Sequence, residues 1–160
     1  METSVTLNKL IERFEDSILE THSYRGDDTA VVKKEDILRI CDFLKNEETL
    51  LYNFMMDLTA VDYLGRDPRF EVVYHLYSLK YNRRVRIKAR LSEFDCLIDS
   101  IVPIWLCADW FEREAFDMYG ITFKGHPELR RILLYEGFEG HPLRKDYPVK
   151  KRQPLIGPIN

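Results

Sequence analysis

With 160 residues, 45% hydrophobic and 32% charged, the chain has material for one domain with a buried core and little for a second. A formal net charge of -3 lacks the basic excess of a dedicated nucleic-acid binder, so no nucleic acid is expected as a partner. No run reaches the roughly 18 apolar residues of a membrane-spanning helix, and METSVTLNKLIERFEDS has neither a signal core nor a transit-peptide composition, so a soluble, intracellular protein is expected.

Leu7, Leu10, Ile11, Phe14 and Ile18 recur at helical spacing and predict an amphipathic first helix. Thr29 to Val32 reads as a short β run. Lys34-Glu35-Asp36 leads into Ile37, Leu38, Ile40, Cys41, Phe43 and Leu44, a second helix ending near Lys45-Asn46. Three strands follow: Tyr52 to Asp62, with Tyr52, Phe54, Met56, Leu58 and Ala60 alternating, then Phe70 to Leu79, then Val85 to Leu91. Turns at Leu64 to Pro68 and Tyr81 to Arg83 join them. In the last strand Val85, Ile87, Ala89 and Leu91 face a core, while Arg84, Arg86, Lys88 and Arg90 form a basic face turned to water.

Asp109, Arg113 and Asp117 then recur at i, i+4 and i+8, stacking acid, base and acid on one face of a short helix that Gly120 stops. Trp105, Phe116, Met118 and Tyr119 surround it. Beyond it Gly125, Pro127, Gly137, Gly140, Pro142 and Pro148 exclude another long helix or an interior strand. The fold class expected is α+β: helices on one face of a mainly antiparallel three- to four-stranded sheet, then a helix and an extended irregular C-terminal segment. Residues 1–120 form the globular part and 121–160 a docking segment of the same unit. The tail Lys150 to Pro158 is charged and rich in breakers, and is expected to be mobile until a partner orders it.

Cys41, Cys96 and Cys107 are far apart, form no C-x-x-C pair and sit among apolar neighbours. They read as small buried hydrophobes in a reducing compartment rather than as ligands of an iron–sulfur cluster. Glu112, Glu114, Asp117, His126 and His141 are a conceivable metal or acid–base set, but Glu112 and Glu114 point to opposite sides of a helix and each histidine precedes a proline that favours a turn. Asp57 and Asp62 suit turn-holding better than catalysis, and the basic strand face suits solvent better than phosphate. No glycine forms a G-x-G-x-x-G or Walker pattern, so nothing readable binds NADH. Arg130, Arg131, Arg144 and Lys145 lie among Leu129, Ile132, Leu133, Leu134, Tyr135 and Phe138. Such a strip leaves backbone groups and hydrophobes in need of cover, either from its own domain or from another protein.

ERE-x-x-DMYGI, F-x-GHP-x-LRRILL and EGHPLRKDYP, running from Glu112 to Pro148, together with NFMMDLTAVDY, FEVVYHLYSL and RVRIKARL upstream, resemble the family of the 30 kDa subunit, or C subunit, of NADH-quinone oxidoreductase, respiratory complex I. The resemblance implies a non-catalytic subunit of that proton-translocating enzyme, with no cofactor in this chain: NADH, FMN, iron–sulfur clusters and quinone belong to partner subunits. It implies a place in the peripheral arm at the cytoplasmic face of the inner (plasma) membrane of a bacterium, touching the membrane through the complex only. The partners it implies are the quinone-site large subunit, the terminal iron–sulfur cluster subunit and further peripheral-arm subunits.

The docking contacts it implies are Glu112, Arg113, Glu114, Asp117, His126, Arg130, Arg131, His141, Arg144, Lys145, Asp146 and Tyr147, with Arg144 facing solvent in the isolated chain. Tyr135-Glu136-Gly137-Phe138 departs from the proline-and-tryptophan version of that turn usual in the family. Two other assignments stand beside this one: the equivalent subunit of a membrane-bound energy-converting hydrogenase or another quinone-reducing dehydrogenase complex, and a free-standing metal hydrolase.

Overall fold

The computed structural model describes residues 4–154. Helix α1 (Val5–Phe14) starts at Ser4, whose hydroxyl accepts the Leu7 N–H at 3.3 Å, and turns Leu7, Leu10 and Phe14 inward. A hairpin follows, β1 (Ile18–Tyr24) and β2 (Asp27–Val32). Its two-residue loop places Arg25 at φ 54° and Gly26 at φ 86°, the left-handed pair that matches strand twist. Helix α2 (Ile37–Asn46) then buries Ile37, Ile40, Cys41 and Leu44.

Strands β3 (Phe54–Asp62), β4 (Phe70–Ser78) and β5 (Arg83–Leu91) form an antiparallel meander, and β5 also pairs in parallel with β2. The sheet order is β1-β2-β5-β4-β3. The sheet thus has five strands, more than the three to four expected, and stays mainly antiparallel. Ile18 belongs to β1 and not to the first helix. That strand is an edge whose residues after Ile18 are all exposed, so it has no apolar alternation to read.

The expected alternation along β3 also fails locally. A bulge between Met55 and Asp57 turns Met55 inward and leaves Phe54 and Met56 exposed, at 49% and 41%. Leu58 and Ala60 keep their inward places.

The helices cover one face of the sheet, and Ala30, Val32, Val72, Tyr74, Leu76, Ile87 and Ala89 meet them there. The other face is charged but not simply basic. Buried Glu71 accepts from Lys88 at 2.8 Å and lies 3.6 Å from Arg90, and Glu20 holds Arg90 through both oxygens at 2.8 and 2.9 Å. Glu71 lies directly opposite Arg90 across β4 and β5 and diagonal to Lys88, while Glu20 reaches Arg90 from β1, on the far side of β2.

After β5 the chain forms β6 (Leu97–Asp99), α3 (Ala108–Tyr119) and β7 (Thr122–Lys124), with β6 and β7 pairing in parallel as a small second sheet. Ile121 and Phe123 are buried, so the body runs on to Lys124. Among the cysteines Cys41 is buried as expected, Cys96 is half-buried, and Cys107 is exposed at the start of α3. The tail from Lys150 is described as far as Pro154; the rest of it lies outside the described residues.

Met55→Ala is expected to cost about 2–5 kcal/mol and Phe54→Ser within about 0.5 kcal/mol, since only the first opens a cavity. Chemical denaturation of the two variants checks this. Equal losses would contradict the bulge.

Candidate functional site

An irregular segment of nearly thirty residues leaves β7 carrying backbone donors and acceptors that no ladder satisfies, so it needs partners from elsewhere. The face of α3 supplies them. Asp117, fully buried, accepts the N–H groups of Ile132, Leu133 and Leu134 on Oδ2 at 3.1, 2.9 and 2.9 Å. Its Oδ1 accepts from the Arg131 guanidinium at 2.6 Å. One turn earlier, Arg113 donates to the carbonyls of Arg130 and Arg131, both at 3.2 Å. One turn earlier again, the Asp109 carbonyl accepts from His126 Nε2 at 3.2 Å. The expected i, i+4, i+8 stripe is therefore present, but its members bind the downstream segment instead of one another.

The end of α3 is the second anchor. Gly120 closes the helix at φ 74°, where the Tyr119 and Asp117 carbonyls point outward, accepting from Arg144 Nε at 2.6 Å and His141 Nδ1 at 2.9 Å. A Cβ on Gly120 would stand 2.6 Å from His141 Nε2 and 2.8 Å from Arg144 Nη2. Glycine is required here both by conformation and by this close approach.

A third anchor joins the segment to the sheet. Arg69, 2% exposed, binds Asp62 through Nε and Nη2, both at 2.8 Å, as a parallel fork. Its remaining donors reach Asp146 at 2.8 and 3.1 Å and Glu93 at 2.6 Å. Asp62 also accepts the Lys145 N–H at 2.7 Å. Phe70 is fully buried beneath two guanidinium groups, Arg69 at 4.9 Å and Arg144 at 5.0 Å from the ring centroid.

These contacts set the charges. The Arg69 guanidinium holds the Asp62 and Asp146 carboxyls below the usual carboxylate range. Burial alone would raise Asp117, but the Leu134 amide, the Arg131 guanidinium and the amides of Leu133 and Ile132 outweigh it and lower that carboxyl too. Burial lowers the His141 imidazole, whose Nδ1 is fixed on the Asp117 carbonyl.

The residues named as docking contacts therefore divide. Glu112 is wholly enclosed, and Arg113 and Asp117 are buried in contacts with their own chain. Arg131, His126, His141, Arg144 and Tyr147 are half-buried; Arg144, expected to face solvent, is instead held by Tyr119 and Phe70. Tyr147 stacks on Phe138 at 6.2 Å and closes over Gly140. Only Glu114, Arg130, Lys145 and Asp146 are exposed. The residues that sequence reasoning missed are Arg69 and Glu93; the readable signal was a lone cation heading the apolar strand that Asp62 faces across a turn. Asp62 holds that turn, as expected.

His126 and His141 each spend a nitrogen on a backbone carbonyl, and no group of three or more His, Cys, Asp or Glu side chains is placed to hold a metal among the described residues. Nor is any helix among them long and apolar enough to cross a membrane. The arrangement is a clasp, and its chemistry is that of charged hydrogen bonds to backbone.

Comparison with known proteins agrees with the sequence resemblance. The family described as respiratory-chain NADH dehydrogenase, 30 Kd subunit, matches residues 30–153. The NADH-quinone oxidoreductase C subunit of Geotalea uraniireducens is 52% identical over 95% of this chain and 93% of its own. The protein of that name from Citrifermentans bemidjiense is 53% identical over 95% and 94%. Among solved structures, the trypsin-resistant fragment (1-134) of Nqo5 superposes with TM-score 0.65 at 27% identity, covering 78% of this chain and all of the fragment. A chain of the membrane-bound sulfane sulfur reductase, an archaeal respiratory membrane complex, shares the fold with TM-score 0.73 at 23% identity, over 90% of this chain and 84% of that one. The chain belongs to the 30 kDa subunit family of respiratory NADH dehydrogenase, the C-subunit family of complex I.

Asp117→Asn leaves Arg131 unpaired and weakens three amide contacts, and is expected to cost about 1.5–3 kcal/mol. Hydrogen exchange at Ile132, Leu133 and Leu134 should accelerate while the β4 and β5 amides stay protected; uniform change would refute a local clasp. Asp62, Asp117 and Asp146 all have lowered folded values, so their stabilisation is present above the ordinary value of 3.8 and is lost as pH falls through and below it. Acidification should therefore free the segment to limited proteolysis before the body unfolds, with the onset below pH 4 or so.

Proposed function

From membership of this family we propose that the chain is a non-catalytic, cofactor-free subunit of the peripheral arm of a proton-translocating NADH-quinone oxidoreductase. It docks the quinone-site large subunit and the subunit holding the terminal iron–sulfur cluster, at the cytoplasmic face of a bacterial inner membrane. NADH, FMN, clusters and quinone reside in those partners and their neighbours.

The observation that carries this reading is what the clasp leaves uncovered. The segment satisfies its backbone on its own domain, yet Trp110 on α3 is 68% exposed, Leu106 just before the helix 84%, and Leu133 in the clasped segment 62%. Glu114 stands one turn beyond Trp110, Lys145 is exposed, and Arg130, also exposed, is paired among the described residues only with Glu128, itself exposed, at 3.0 Å. Large apolar side chains rimmed by charge are the composition of a subunit interface, with tryptophan as its commonest anchor. Eight relatives at 44–53% identity are named as the C subunit of NADH-quinone oxidoreductase, with or without a number. That favours this enzyme over a hydrogenase or another quinone-reducing complex. The likeness to the archaeal sulfane sulfur reductase chain speaks to fold alone.

Tagging the chain, solubilising membranes in mild detergent and identifying what co-purifies tests the assignment. Recovery of flavin, iron–sulfur and quinone-site subunits supports it, nickel-binding partners would move the chain to a hydrogenase, and the chain alone would overturn docking. Trp110→Ala is expected to leave the melting temperature of the isolated chain nearly unchanged and to weaken partner capture by about 2 kcal/mol or more.

A further inference from the structure

Four carboxylates are buried among the described residues, and three of them face a cation: Asp62 with Arg69 and Glu71 with Lys88 at 2.8 Å, Asp117 with Arg131 at 2.6 Å. Glu112 is the exception. It is 0% exposed, on the inner side of α3, with Oε1 accepting the Ile101 N–H at 2.7 Å and Oε2 without any hydrogen-bond partner. The polar and titratable groups that act on it are Ser100 and Ile101 from the preceding loop, Asp109 from α3 itself, Cys41 from α2 and Tyr74 from β4. Tyr74 in turn senses Asp99 of β6, and its hydroxyl is also buried without a partner. None of these groups is a cation.

A carboxylate ion in such surroundings would bear the desolvation cost of a buried charge with no cation to repay it and only neutral donors to offset it, whereas the neutral acid costs far less. We propose that Glu112 is a proton-binding site: the fold closes on its neutral carboxylic acid, and loss of that proton loosens α3 together with the turn before it. The linkage is short. Ile101, held by Glu112 through its N–H, accepts from Ile104 at 2.9 Å and Trp105 at 3.0 Å, and the Trp105 carbonyl accepts from Ala108, the first residue of α3. The same helix carries the Asp117 and Gly120 anchors, so the proton reaches the clasp through one rigid element. The inference concerns the isolated chain, and its failure would leave the docking assignment untouched.

Burial pushes the Glu112 carboxyl up to about 7, against the pull of the Ser100 hydroxyl and the Ile101 amide and with the help of Asp109. A folded value raised above the ordinary 4.5 means that folding takes up a proton. The penalty is absent below 4.5, grows as pH rises toward 7, and is complete above it.

Glu112→Gln keeps an acceptor for Ile101 and cannot ionise. Thermal melts of the full chain across that range are expected to show the E112Q midpoint gaining on wild type as pH rises, then running parallel above the folded value. The ratio of folding constants should grow by roughly two orders of magnitude. Midpoint curves that stay parallel throughout would overturn the proposal. Should E112Q fail to fold, infrared spectra of the folded wild type at pH 6 or so decide it, since the cation-paired carboxylates give no protonated-acid C=O band there. A band that disappears on alkalinisation supports the site, and no band refutes it.

Discussion

One carboxylate sets the path of the irregular segment that follows β7. Between Gly125 and Pro148 the backbone has too many turns to pair with itself, and three consecutive amides, Ile132 to Leu134, converge on Asp117 Oδ2 within 3.1 Å. Consecutive N–H groups can point to one atom only where the chain curls tightly, so the acceptor and the curl require each other. An ionised carboxylate is the acceptor that repays this best, because charge-assisted bonds are roughly twice as strong as neutral ones. Burial of Asp117 is tolerable for the same reason, with Arg131 supplying the countercharge.

The second constraint is positional. Asp117, Gly120 and the outward carbonyls of Asp117 and Tyr119 lie within one helical turn, while Asp62 and Arg69 flank the turn of the β3–β4 hairpin. The segment must satisfy both. It crosses from α3 to the sheet between His141 and Asp146, with Leu143 N–H on the Met118 carbonyl at 3.1 Å and Lys145 N–H on Asp62 at 2.7 Å. A buried guanidinium holding three carboxylates is an expensive arrangement for stability alone. It specifies where the strap ends, since each donor of Arg69 has one geometrically matched acceptor.

The sequence made the strands with full alternation legible, β5 above all, because one covered face imposes period two. Gly120 was legible as a helix stop for an equally local reason. The edge strand β1 was not, since neither of its faces is buried, and the bulge in β3 was not, since a one-residue insertion in register depends on the partner strand. The same distinction applies to the clasp. Periodicity placed Asp109, Arg113 and Asp117 on one face correctly, but the partners of that face are 14 to 24 residues downstream in a segment with no period at all. Arg69 was missed because its three acceptors come from three separate stretches of chain.

A cluster of mixed charge near a chain end reads from sequence as an intermolecular surface, and physical reasoning on the fold separates two populations within it. Side chains that satisfy backbone, such as Arg113, Asp117, His141 and Arg144, are consumed by making an irregular segment hold a shape. Side chains that a partner can reach are those that hold none of the segment's backbone in place, and these are Trp110, Leu133, Glu114, Lys145 and Arg130, the last paired among the described residues only with exposed Glu128. The two populations are interdependent: an exposed tryptophan can anchor a partner only if its helix is fixed, and α3 is fixed by the clasp on one face and by Glu112 on the other. Preorganisation is therefore the contribution of the buried motif residues, and contact is the contribution of the exposed ones.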